Sequence, residues 1–321
     1  MCDVTGEGGR SSATRSLPEP LRGLSPIAFS VDPPAGASPE ADARTSFLLR
    51  KARGLGVTTF DVTATLRPER AERLIARAFP EPDPAVSVII GRSVDSLSRE
   101  RTSEEAPVEV SDTARTLAAS IDRSRRRLAP VRVGVVEWDP SGEEETDRFP
   151  KTVFDSIPSL DASGPLWALR LAPDQHSLPE GEQRPTLFGG PFSLLAPELG
   201  ERFEAQGDPP TGYLIARDPF SEGRLDGSRF AAESGLTGPA ALPVDVRRLH
   251  QEFDPVLRLG FLTEGHRRTL AQAALQYILH WPWVATAVVP VPVPERLEEL
   301  LAYASKPPIT PEEFARIRSL K

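Results

Sequence analysis

Six charged residues stand at or just beyond the ends of short apolar runs. They are Asp61 closing Val57 to Asp61, Arg92 after Val86 to Gly91, Glu137 near the end of Val131 to Trp138, Arg170 near the end of Leu166 to Leu171, and Arg217 and Asp218 after Gly212 to Ala216. If those runs are parallel strands, their C-terminal ends share one face, where α/β enzymes place their chemistry. Carboxylates there can move protons, and guanidiniums can hold an anion. Two readings stay open: the charges pair with one another and fill the cleft, or the arginines hold an anionic ligand while a carboxylate does acid–base work. Asp61, Arg92 and Glu137 are the candidate catalytic set, and Leu66, Trp138, Arg170, His176, Arg217 and Asp218 are the candidate cleft lining.

His176 follows Leu166 to Leu171 and, with Asp61, Glu137 and Asp218, offers mixed nitrogen and oxygen ligands for a metal. One histidine among scattered carboxylates is an ordinary polar loop, and no H-x-H or H-E-x-x-H spacing is present, so no metal is assigned. His250, His266 and His280 fall in or beside helical patterns and take packing or surface roles. The Arg123 to Arg127 cluster spreads over more than one helix face beside Asp122 and is read as a solvated face. Proton donors are scarce: the tyrosines are Tyr213, Tyr277 and Tyr303, and the lysines Lys51, Lys151, Lys306 and Lys321. None lies at the C-terminal end of an expected strand.

The elements that must position these residues alternate between short β-branched runs and helical patterns. Seven strands are expected: the five named above, Pro26 to Phe29, and Val284 to Val289. Helices are expected over Pro39 to Leu55, Pro68 to Phe79, Ser111 to Leu128, Pro191 to Gln206, Glu264 to His280, Pro294 to Ser305 and Pro311 to Leu320, the last capped by Thr310. Between Trp138 and Leu166 there is room for one helix, near Thr152 to Leu160. The fold expected is therefore an α/β (β/α)8 barrel of the TIM type with one β/α unit shortened or missing between residues 139 and 165. Pro219 to Leu262 lacks a strand signal and reads as a long loop, of the kind that forms a lid or specificity element. Residues 1–22 read as a disordered leader, and 23–321 as a single barrel domain.

Composition removes several classes of function. A net charge of −8 and a pI near 5.3 speak against nucleic acid, whose phosphates need a basic surface. No run approaches the about 18 apolar residues of a membrane span, and the polar N-terminus lacks a signal peptide's apolar core. Cys2 is the only cysteine, which excludes an intrachain disulfide and fits a cytoplasmic protein.

Several segments, in order, resemble the aldo-keto reductase superfamily. Ala52-Arg53-Gly54-Leu55-Gly56-Val57-Thr58-Thr59-Phe60-Asp61 is similar to its Gly-containing helix end leading into a Phe-Asp-Thr strand, and Arg67 to Leu74 to the helix that follows. Ser120 to Leu128 resembles its S-x-x-x-S-L-x-R-L helix, which leads into Val133 to Trp138, similar to its strand ending in His-Trp. Gly212 to Phe220 resembles its G-x-x-A-Y-S-P-L strand, and Thr269 to Tyr277 and Pro294 to Leu300 its closing helices. The resemblance implies a TIM-type barrel and an Asp, Tyr, Lys and His tetrad served by NADPH. Here Asp61 matches, the Tyr position falls near Leu66, the Lys position on Arg92 and the His position on Glu137.

Leucine gives no proton, and arginine stays charged at any ordinary pH. The turn that would grip the nucleotide phosphate aligns with Val289-Pro290-Val291-Pro292-Val293-Pro294-Glu295, where prolines remove backbone donors. Arg217 and Asp218 stand where the family stacks a tyrosine on nicotinamide and binds pyrophosphate with a serine. The resemblance, so altered, implies a degenerate member, noncatalytic as a reductase, without a cofactor, acting as a regulatory, scaffolding or partner subunit. Its partner would be a protein or an anionic small molecule, with no nucleic acid and no membrane. The alternative is an enzyme of altered, nicotinamide-independent chemistry, a lyase, isomerase or hydrolase. An NADPH-dependent carbonyl reductase ranks last.

Overall fold

The computed structural model describes residues 17–33, 36, 38–93, 96–97, 110–140, 164–171, 186–205, 212–229, 246–290 and 294–320. Each strand pairs in parallel with the one before it and the last with the first, closing an eight-stranded barrel. The strands are β1 (Ile27–Ser30), β2 (Thr59–Asp61), β3 (Ser87–Ser93), β4 (Arg132–Asp139), β5 (Leu166–Arg170), β6 (Leu187–Pro191), β7 (Tyr213–Arg217) and β8 (Val284–Pro290). Outside them lie α1 (Pro39–Gly54), α2 (Pro68–Ala78), α3 (Val110–Leu128), α4 (Glu198–Glu204), α5 (Val246–Arg258), α6 (Leu270–Leu279), α7 (Pro294–Leu301) and α8 (Pro311–Ser319).

Local chemistry sets the helix ends. Ser38 Oγ accepts from the Ala41 amide and Pro39 begins α1, where its missing N–H is no loss. Thr269 and Thr310 each form a reciprocal capping box, with Gln272 and Glu313. Alternation along each strand then sorts side chains into two layers. Phe29, Phe60, Ile90, Val136, Leu169, Phe188 and Leu214 face the helices, whereas Ala28, Ile89, Val135, Ala168, Leu187 and Ile215 fill the barrel interior. Trp281 stacks on Trp283 with ring centroids 5.5 Å apart, and Trp283 on Phe203 at 5.2 Å, which fastens the end of α6 to the start of β8.

The structure departs from the sequence expectations in several places. The barrel is complete, because β4 pairs directly with β5 in the register Val135↔Leu166 and no strand is missing between residues 139 and 165. Residues 141–163, with the helix expected over Thr152 to Leu160, lie outside the described residues. The strand absent from the expectations was β6, whose Leu-Phe-Gly-Gly-Pro sequence has two apolar residues and two glycines, so no β-branched run marks it. Pro191 ends this strand instead of starting a helix, and α4 is correspondingly short.

The helix expected from Glu264 begins only at Leu270, since Glu264 and Gly265 have non-helical backbone and Thr269 caps after them. The expected loop over Pro219 to Leu262 contains the helix α5. Residues 17–22, within the segment expected as a leader, are described. Glu19–Leu21 form a 3-10 turn, and Leu17, Leu21 and Leu24 are buried against the interior layer, whereas residues 1–16 lie outside the described residues.

Candidate functional site

Four of the charged residues chosen from sequence meet inside the barrel near its C-terminal end. Asp61, Glu137, Arg170 and Arg217 project inward from β2, β4, β5 and β7, each two residues beyond the inward position before it: Thr59, Val135, Ala168 and Ile215. Arg217 Nη2 donates to Asp61 Oδ2 at 3.0 Å and to Glu137 Oε2 at 2.7 Å, and its Nε lies 3.1 and 3.2 Å from the two Glu137 oxygens. Arg170 approaches Glu137 from the other side, with Nε to Oε1 at 2.7 Å, and donates Nη1 to Asp139 at 3.3 Å. The remaining Asp61 oxygen accepts from the amide and hydroxyl of Thr63. Two guanidiniums thus tie three carboxylates from two strands, β2 and β4, across the barrel.

Glycines make the room. A Cβ on Gly189 of β6 would stand 2.3 Å from Glu137 Oε2, and one on Gly91 of β3 would stand 3.0 Å from the Thr63 Cβ. Burial pushes the Glu137 carboxyl up, but the fields and hydrogen bonds of Arg217 and Arg170 outweigh it and hold the group below its ordinary range. Burial likewise opposes the charge of Arg217, and the Asp61 and Glu137 carboxylates override it, so its proton is held more tightly than usual. Beside this network, a cavity of about 80 Å³ opens among Thr63, Gly91, Arg92, Ser93, Ser96 and Asp139, bordered by Glu137 and Arg170 of the network.

Three residues chosen from sequence lie elsewhere. Arg92 points outward: its register partner is Trp138, one position past the inward pair Gly91 and Glu137. Its guanidinium donates to Ser120 Oγ at 2.6 Å, to the Ser124 hydroxyl, and to its own neighbour's carbonyl, Gly91 O, and lies 3.9 Å from the buried Glu72. Its guanidinium ties β3 to α2 and α3, and the residue also borders the cavity beside the network. Trp138 is fully buried in the outer layer and is no cleft wall. Leu66 is 92% exposed in the loop after β2 and walls no cleft among the described residues.

Asp218 stands at the mouth with a left-handed backbone, φ 50°, and its carboxylate accepts from the Glu222 amide. Burial raises its pKa above the ordinary value, against that hydrogen bond. His176 lies outside the described residues, as do Val291, Pro292 and Val293 of the turn aligned with phosphate binding. Among the described residues no three histidine, cysteine or carboxylate side chains converge as a metal cage.

Asp139 and Gly189 are the site residues that sequence reasoning missed. Asp139 directly follows the Glu137-Trp138 pair and was legible by alternation, as the next inward position. Gly189 carried no signal without β6.

The fold and this mouth define a (β/α)8 barrel with its polar cluster at the C-terminal face. Residues 214–321 match the model of the Aldo/keto reductase family. The whole barrel is similar to solved structures of such enzymes at low identity. It superposes on aldo-keto reductase AKR11C1 from Bacillus halodurans, holo form, with TM-score 0.65 at 15% identity over 92% of each chain. For the thermostable aldo-keto reductase Tm1743 in complex with epalrestat the TM-score is 0.66 at 14% identity, covering 93% of this chain and 96% of that one. For the glycerol dehydrogenase AKR11B4 of Gluconobacter oxydans it is 0.65 at 13% identity, covering 92% and 91%. No curated protein matches the sequence. The likeness to the aldo-keto reductases thus holds by sequence over the C-terminal third and by fold over the barrel.

Proposed function

We propose that this protein does not transfer hydride and acts as a regulatory, scaffolding or partner subunit built on the aldo-keto reductase fold. The observation that carries this reading is the Asp61–Arg217–Glu137–Arg170 network, in which the inward charges of the mouth are consumed by one another. A nicotinamide ring asks for a flat, apolar neighbour and a nearby proton donor. At the position where the resembled family stacks its ring, this chain puts a guanidinium bound to two carboxylates. The position of the proton-donating tyrosine is held by Leu66 in solvent, and Arg92, at the lysine position, is turned into the helix layer. These residues do not fit the cofactor.

Altered chemistry with Glu137 as general base gains no support from its surroundings. A base works best with a pKa near the operating pH, and two arginines drive that of Glu137 the other way. Among the described residues no helix is long and apolar enough to cross a membrane. The single cysteine, Cys2, supports a place in the reducing cytoplasm.

The test is a titration of the purified chain with NADPH and NADH, read by tryptophan fluorescence; Trp167 and Trp281 are only partly buried at the barrel wall. No saturable quenching is expected with either nucleotide, and no oxidation of NADPH with an aldehyde. Saturable quenching at micromolar NADPH would sink the proposal.

A further inference from the structure

The strongest candidate outside the proposed role is the seat that Arg217 occupies. Its guanidinium is held in the manner of a bound ligand: Nη2 bridges Asp61 Oδ2 at 3.0 Å and Glu137 Oε2 at 2.7 Å, and Nε meets the same glutamate. The two carboxylate side chains are 0% and 1% exposed, and that of Arg217 is 13% exposed. The seat is rigidly made. Asp61 is fixed by Thr63, Glu137 is steadied from behind by Arg170, and the missing Cβ of Gly189 leaves the space in which the glutamate lies. The cavity of about 80 Å³ borders Glu137 and adjoins Asp139 and Arg170 at the mouth.

We infer that the barrel interior is a guanidinium-recognising site whose occupant is supplied by the chain itself, so that Arg217 is an autoinhibitory contact closing a pocket for planar cations. The charges decide the ligand class. Asp61, Glu137 and Asp139 face Arg170 and Arg217; once Arg217 is withdrawn, three carboxylates face one guanidinium, and a buried pair left without its partner is strongly unfavourable. A nucleotide or other anion would add to that excess, whereas a guanidinium or amidinium removes it. The fork of parallel N–H donors matches a carboxylate edge to edge, which a spherical cation cannot do. Such a ligand differs in charge from the anionic small molecule expected from sequence, and Arg170 and Arg217 are paired with carboxylates.

The inference rests on the mouth being closed to nicotinamide, yet the two fail separately: NADPH quenching in the wild type would overturn that reading and leave the behaviour of Arg217→Ala untouched. The experiment is a thermal-shift titration of wild type, Arg217→Ala and Asp61→Asn/Arg217→Ala with methylguanidinium. Sodium and tetramethylammonium at equal ionic strength serve as controls. Arg217→Ala is expected to gain stability saturably at millimolar methylguanidinium and not with the controls. The wild type should show no such gain, and the double variant should bind at least about tenfold more weakly, the loss of one charged hydrogen bond. If Arg217→Ala does not fold alone, its refolding from urea is followed by circular dichroism, with recovery expected only when methylguanidinium is present. Equal response to all three cations, or no response and no recovery, overturns the proposal.

Discussion

Glu137 accepts from two guanidiniums while almost wholly removed from water, so its charge depends on both partners. Glu137→Gln keeps the shape but leaves Arg170 and Arg217 sharing fewer charges, which should cost about 3–5 kcal/mol of unfolding free energy. Because the folded carboxyl is held below its ordinary value of 4.5, the contribution is complete above that pH and is lost as the pH falls through the lower folded value. Urea midpoints of wild type and variant should therefore differ most at neutral pH and converge in acid. A difference that stays constant down to acid pH would show that Glu137 contributes no charge. Arg92 shows how a single position changes meaning. By residue type it belonged with the mouth, but strand alternation sends it to the opposite face, where Ser120, Ser124 and Glu72 receive it.

At the scale of elements, β4 and β6 are coupled through a side chain that is absent. Gly189→Ala would set a methyl 2.3 Å from Glu137 Oε2, and either the glutamate or β6 must move. A loss of about 1–3 kcal/mol is expected, as for overpacking elsewhere. Combined with Glu137→Ala, the same alanine should cost much less, giving a coupling energy of about 1 kcal/mol or more in a double-mutant cycle by urea denaturation. Additive effects would mean that the two do not touch. Most elements were legible in the sequence, because periodicity, proline at helix starts and threonine caps are local signals, and Thr310 caps α8 as its spacing indicates. The strand β6 was not, since Gly-Gly-Pro lacks the β-branched signature and only closure of the barrel requires a strand there.

At the scale of the molecule, the barrel must be sealed at the end away from the mouth, and residues 17–24 do this with Leu17, Leu21 and Leu24 packed against Ala28, Val135 and Ile215. Leu21→Ala should cost about 2–5 kcal/mol, as for other buried leucines, read as a lower urea midpoint with an unchanged denaturant slope. A surface-like change below about 0.5 kcal/mol would show that the segment is not seated there.

By itself the sequence determined the fold class, the strands that carry the inward charges and the absence of a tyrosine–lysine pair at the strand ends, because these follow from residue type and short-range period. Only the tertiary structure decided which charges meet. Asp61, Glu137, Arg170 and Arg217 come from four strands and pair across the interior, whereas Arg92 and Trp138 fall on the outer face through a shift of one residue. The physical reason is that alternation along a strand is strict, while the registers that bring four strands' ends together exist only once the barrel has closed.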